Sequence, residues 1–195
     1  MKTSTLITLI LLLGLAGIGC YNYTEKFVTT TDHDAFLGST SQVMWGNTLV
    51  GIPIGEGKLG LNIAAIRQDK DSIPAYFLTA VWEGFNTLSI QQGPSLVLLA
   101  NGVKYDFQIA DSLGNRALKE ITAAHLQMLL DNDEYHHAEI ACYPASLDTL
   151  NTIASADSVR VKLFGDNGSP EASFTQTNLQ RFKDFLKSGG ASVNK

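Results

Sequence analysis

Apolar and polar residues alternate with a period of two through the middle of the chain and with a helical period toward its end, a pattern that predicts strands followed by helices. Leu61 to Ile66 and Ala75 to Trp82 are short runs rich in strand formers, separated by the polar loop Gln68-Asp69-Lys70-Asp71-Ser72 that ends near Pro74. Ser95 to Ala100 and Val103 to Ile109 flank Asn101-Gly102. Both of those residues tolerate positive φ, so the pair predicts a tight hairpin. In its second arm Val103, Tyr105, Phe107 and Ile109 alternate with Lys104, Asp106 and Gln108, which predicts one buried and one solvated face.

Ala138, Ile140 and Cys142 share one side of a further strand, and Cys142 is expected to be a small buried core residue. Leu118, Ile121, Ala124 and Met128 approximate a helical stripe within 116–130, although Ile121 to Ala124 could also begin a strand. Ser146 can cap a helix carrying Leu147, Leu150, Ile153 and Ala154 on one face, with Asp148 in its first turn. Val159, Val161 and Leu163 then alternate with Arg160 and Lys162, and Gly165 to Gly168 turns the chain back toward Ala172 and Phe174. Thr175 can cap a last helix with Leu179, Phe182, Phe185 and Leu186 on one face and Gly189 as its stop. One-sided helices need a sheet to cover. The expected fold class is therefore α+β, an antiparallel sheet built from hairpins with the C-terminal helices packed on one face; the alternative is a β-sandwich with peripheral helices.

The first twenty residues follow a different pattern: Lys2, an apolar run from Leu6 to Leu15, then Ala16-Gly17-Ile18-Gly19-Cys20. That run is too short to span a bilayer and has the layout of a bacterial export signal. With Cys20 directly after small residues, the segment resembles the lipobox of bacterial lipoproteins, although Gly17 stands where a large aliphatic residue is usual. The resemblance implies cleavage before Cys20 and covalent lipid on its sulfur, with Cys20 as the mature N-terminus. Tyr21 in place of Asp after that cysteine implies the outer membrane rather than the inner one. The alternative is an ordinary secretory signal that releases the chain to the periplasm without lipid. On this reading residues 1–19 are the signal peptide, 20–42 a tether merging into an edge strand, 43–190 a single domain and 191–195 a tail. The order of elements from Trp82 to the last helix is similar to that of uncharacterised exported bacterial proteins, which implies no named activity.

Without residues 1–19 the chain keeps 176 of its 195 residues, enough for one domain with a real core and no staples. Its formal charge of −5 becomes −6 once Lys2 leaves, spread without long runs. That balance argues against a nucleic-acid partner and against attraction to anionic lipid, so membrane contact is expected through Cys20 alone. With only Cys20 and Cys142 present, lipid on the first would leave no second cysteine for Cys142 to bridge to.

Candidate chemistry is sparse. Gly51-Ile52-Pro53-Ile54-Gly55-Glu56-Gly57-Lys58-Leu59-Gly60 invites comparison with a phosphate-binding loop, but Gly51 falls one position too early for Gly57-Lys58 and Leu59 replaces the metal-binding hydroxyl. A turn or contact loop is expected instead, with Trp45, Gly55, Gly57 and Lys58 as its candidate contact residues. Asp32-His33-Asp34 combines metal-ligand types, but strand alternation would turn His33 away from both aspartates, and a solvated loop is expected there. Asp131, Asp133, Glu134, His136 and His137 form the densest titratable cluster, and Asp133, Glu134, His136 and His137 are its candidate metal ligands. A solvated turn is the plainer reading, because adjacent histidines on a strand cannot both reach one ion. No nucleophile motif is present, and no cofactor beyond lipid at Cys20 is expected.

These features lead to the expectation of a lipid-anchored envelope protein that acts as a binding or structural module, with another envelope protein as partner. The alternatives are a periplasm-facing hydrolase or metal-dependent enzyme, and a carrier of a small apolar ligand held behind Phe107, Val161 and Phe182.

Overall fold

The computed structural model describes residues 28–34, 38–52, 57–68, 73–110 and 137–191. The expected signal and lipid site within 1–20, the expected helix within 116–130, and Gly55, Asp133, Glu134 and His136 lie outside them. Among the described residues nine strands form two antiparallel sheets, and two helices lie after the strand His137–Ala145. The first sheet has the order β1(Val28–Asp34)-β2(Ser39–Trp45)-β3(Gly57–Arg67)-β4(Ala75–Gly84)-β7(His137–Ala145); the second is β6(Val103–Gln108)-β5(Pro94–Ala100)-β8(Val159–Leu163)-β9(Glu171–Ser173). Helix α1 spans Leu147–Ser155 and α2 spans Gln176–Ala191. The α+β class holds, and the division of the strands between two sheets is the arrangement the sandwich alternative describes.

The sheets are joined at two corners. After β2 the chain bridges to β3 at Thr48 and Gly60 and then to β9, where Val50 and Ser173 exchange both backbone bonds, at 3.1 and 2.7 Å. After β6 the Ala110 N–H donates to the Cys142 carbonyl of β7 at 2.7 Å. Backbone groups at sheet edges must find partners, and here the connecting residues Val50 and Ala110 supply them to the edge strands β9 and β7.

Alternation sorts the core. Leu59, Leu61 and Ile63 of β3 and Tyr76, Leu78, Ala80 and Trp82 of β4 face the same interior as Leu96 and Leu98 of β5 and Val159, Val161 and Leu163 of β8. The helices close that interior with Leu150 and Ile153 of α1 and Leu179, Phe182 and Phe185 of α2, and the Phe174 ring meets Phe182 edge-on at 5.0 Å. Each such side chain removes apolar area worth about 1.5–3 kcal/mol from water. The opposite face of the first sheet carries a second buried cluster, Val43, Ala64, Ile66, Phe77 and Cys142. Cys142 is buried as alternation predicts.

The local signals are realised closely. Asn101 and Gly102 take φ of +48° and +81°, as a two-residue hairpin requires. The Ser146 hydroxyl accepts from the Thr149 N–H at 3.1 Å, and the Thr175 hydroxyl accepts from the Asn178 N–H at 3.2 Å, while Asn178 Oδ1 accepts from the Thr175 N–H at 2.8 Å. The second arrangement is a capping box with Asn at the third helical position.

Several expectations are corrected. Asp32-His33-Asp34 is not a loop but the end of β1, paired with Ser39 to Ser41, and Asp32 and His33 are exposed. The boundary after residue 42 falls inside β2, and Met44 is fully buried. Leu147 and Val103, placed on buried faces by periodicity, are 39% and 56% exposed, each being the first residue of its element. Helix α2 continues past Gly189 to Ala191.

Tyr143 of β7 spans the interior to β5, its hydroxyl 2.9 Å from the Ser95 hydroxyl, both residues fully buried. Burial pushes the phenol up from 10.0 to about 12, with the Ser95 bond opposing. The folded state therefore holds this proton more tightly than the unfolded one. Stability from this group is complete below pH 10 and is lost as pH rises toward 12, a decline of about 2–3 kcal/mol. Urea midpoints measured across this range should fall for the native chain and fall less for Tyr143→Phe, which at neutral pH gives up only about 1 kcal/mol.

Candidate functional site

Strand pairing does not gather the predicted contact residues. Trp45 ends β2 rather than lying in a loop; it is half-buried against the second cluster, and its indole N–H donates to Thr30 Oγ1 at 3.1 Å. Gly57 and Lys58 begin β3, opposite Gly84 and Glu83 of β4, whereas β2 leaves β3 after Val43 and Ala64. The later part of the glycine-rich segment is thus strand. Gly57 and its β4 partner Gly84 serve close approach: a Cβ on Gly57 would lie 2.7 Å from Trp82 Cη2, and one on Gly84 2.9 Å from Trp82 Nε1. The Trp82 indole covers this glycine pair and donates to the Asn86 carbonyl at 3.1 Å.

His137 is the exposed first residue of β7, opposite Gly84. Among the described residues no three His, Cys, Asp or Glu side chains come together as a metal-ligand group. Phe107, Val161 and Phe182, the proposed walls of an apolar cavity, are all buried within the main core.

Three arrangements escaped the sequence reading. The first is Glu139, which sits on the interior face of β7 with Ala141 and Tyr143. Its Oε1 accepts from the Leu88 N–H and, at 2.9 Å, from the Ser89 N–H, while Oε2 accepts from the Ile90 N–H at 2.9 Å. A carboxylate on a strand's core face was the available signal, since such a group must be partnered. The second is an asparagine network. Asn178 Nδ2 donates to Asn47 Oδ1 at 2.8 Å and to the Thr48 carbonyl at 3.0 Å, while Asn62 Oδ1 accepts from the Asn47 N–H at 3.1 Å. It fastens the start of α2 to β3 and is structural.

The third is an open groove of about 400 Å³ where β4 begins and β7 ends, lined by Ile73, Pro74, Tyr76, Phe77, Pro144 and Leu147. Ile73 is 89% exposed at its rim. Burial raises the Tyr76 phenol, with the Arg67 charge opposing. With its mostly apolar walls, this groove can hold an aliphatic or aromatic side chain.

The chain is defined by this fold as a two-sheet α+β protein with an apolar surface groove. In comparison with known proteins, it matches no family model, no curated protein and no solved structure.

Proposed function

We propose that this chain is a lipid-anchored protein of the bacterial cell envelope that works as a binding module, held at Cys20 in the outer membrane and presenting the Ile73–Leu147 groove to another envelope protein. The observation that carries the anchor is the order Lys2, Leu6 to Leu15, then small residues and Cys20. The binding role draws on the groove, because a side chain as exposed as Ile73 is surface that a partner's apolar groups can cover. The area is small, so the contact it provides is a weak one that confinement to a membrane strengthens by raising local concentration.

In a bacterial host, the mature protein should carry lipid at Cys20 by mass spectrometry and sediment with membranes, and Cys20→Ser should move it wholly to the soluble fraction. An unmodified Cys20 in the mature chain would remove the anchor. Crosslinking in intact cells followed by isolation of the lipidated protein tests the second half. A near-stoichiometric envelope partner lost in Ile73→Asp supports the groove, and a reproducibly solitary protein overturns the binding role.

A further inference from the structure

Two asparagine–glycine steps occur, Asn101-Gly102 and Asn167-Gly168. No side chain shields the glycine nitrogen in such a step, so it can attack the asparagine side-chain carbonyl. The glycine N–H proton passes to water as the N–C bond forms, and the carbonyl π pair moves onto Oδ1. Collapse then expels Nδ2, protonated by water, as ammonia. Water opens the resulting five-membered imide at either carbonyl, leaving aspartate or isoaspartate. Overall, asparagine and water become a carboxylate and ammonium.

All four residues are exposed, so access of water does not separate the two steps. Hydrogen bonding does. Asn101 Oδ1 accepts from the backbone N–H groups of Asp157 at 3.0 Å and Ser158 at 3.1 Å, and this is the oxygen on which negative charge develops. Two aligned donors there act as an oxyanion hole does in acyl transfer. The Gly102 N–H, the nucleophile, makes no hydrogen bond among the described residues, and the space around its Cα is open. At the other step the groups that must move are engaged. Asn167 Nδ2, the leaving group, donates to the Thr87 carbonyl at 3.0 Å and to Ser89 Oγ at 3.2 Å, and the Gly168 N–H donates to the Gly165 carbonyl at 3.4 Å.

We propose that Asn101 is a self-modifying site: in the folded protein Gly102 closes on the Asn101 side chain while the Asp157 and Ser158 N–H groups hold the oxyanion, and Asn167 is protected. The isoaspartate product adds a methylene to the main chain of a two-residue turn. It breaks the φ pair that joins β5 to β6 and withdraws the acceptor that seats residues 157–158 beyond α1. The modification thus marks aged molecules at one defined corner.

The test incubates the full folded protein at mildly alkaline pH, with a parallel sample in concentrated urea, and follows both sites by peptide mapping and isoaspartate detection. Both steps have the same following residue, so their rates should be similar in urea. In the folded protein Asn101 should react faster than Asn167 by about tenfold or more, a modest share of what an oxyanion donor pair can supply. A folded-state rate ratio no higher than the ratio in urea overturns the proposal, whether or not Cys20 carries lipid.

Discussion

Alanine at Gly165 is expected to destabilise the protein by about 3 kcal/mol or more, as overpacking against a backbone that cannot retreat. A Cβ there would stand 2.3 Å from the Leu88 carbonyl oxygen and 2.6 Å from Leu88 Cγ. Leu88 has no room to move. Its side chain is buried in the core, its carbonyl accepts from the Asn167 N–H at 3.1 Å, and its N–H is held by Glu139. Relief of the clash therefore breaks bonds on both sides of the 85–91 connection. Denaturant unfolding at unchanged m-value is the measurement, with Gly102→Ala as control. A Cβ on Gly102 meets nothing within 4 Å, so that change carries only the penalty of φ +81°, about 1–2 kcal/mol. A Gly165→Ala protein no less stable than Gly102→Ala would show that the connection yields freely.

The second large effect is expected at Glu139. The crossover from β4 to β5 takes the chain from one sheet to the other, and Leu88, Ser89 and Ile90 point three consecutive N–H groups at one carboxylate. Ser89 has φ +54°, a conformation that a side-chain-bearing residue holds only when its surroundings enforce it. Hydrogen bonds to a charged group contribute about 1.5–3 kcal/mol each in net terms, and they are not additive. Glu139→Ala leaves three partly buried donors without an acceptor and should lose about 3–5 kcal/mol. Glu139→Gln keeps one acceptor oxygen and turns an amide toward donors, so it should fall between the two. Amide hydrogen exchange at residues 88–90 gives an independent reading: protection there should collapse before the β3–β4 ladder opens. Equal protection in Glu139→Ala and the native chain would mean the carboxylate is incidental.

What was legible in the sequence was local. The Asn101-Gly102 hairpin, the Ser146 and Thr175 caps, the helix faces and the burial of Cys142 depend on residues a few positions apart, where periodicity and capping chemistry act directly. The glycines of 57–60 misled because glycine is depleted in strands, and at Gly57 it is the Trp82 indole and the Glu83 carbonyl, contributed by the neighbouring strand, that leave no room for a side chain. Asp32-His33-Asp34 misled because polar residues read as loop, whereas an edge strand tolerates them on exposed positions. Division of the strands into two sheets, the Glu139 clamp across 49 to 51 positions and the Asn47–Asn178 bond across 131 positions carry no short-range signal. The candidate site followed the same rule. Its walls come from the start of β4 and from the end of β7 with the first residue of α1, which no contiguous stretch announces.

The corner that ties residues 48–50 to β9, reinforced by the asparagine bond to α2, also decides when this chain can acquire its shape. Its closing contacts wait for Ser173 and Asn178 to be synthesised, so a chain made only as far as β7 has β3 and β4 with their interior sides still largely uncovered. Long-range closure of this kind slows folding and prolongs exposure of apolar strands. Until the closing contacts form, the bare interior faces of β3 and β4 are open to pairing with other chains, so the folding yield should fall as protein concentration rises.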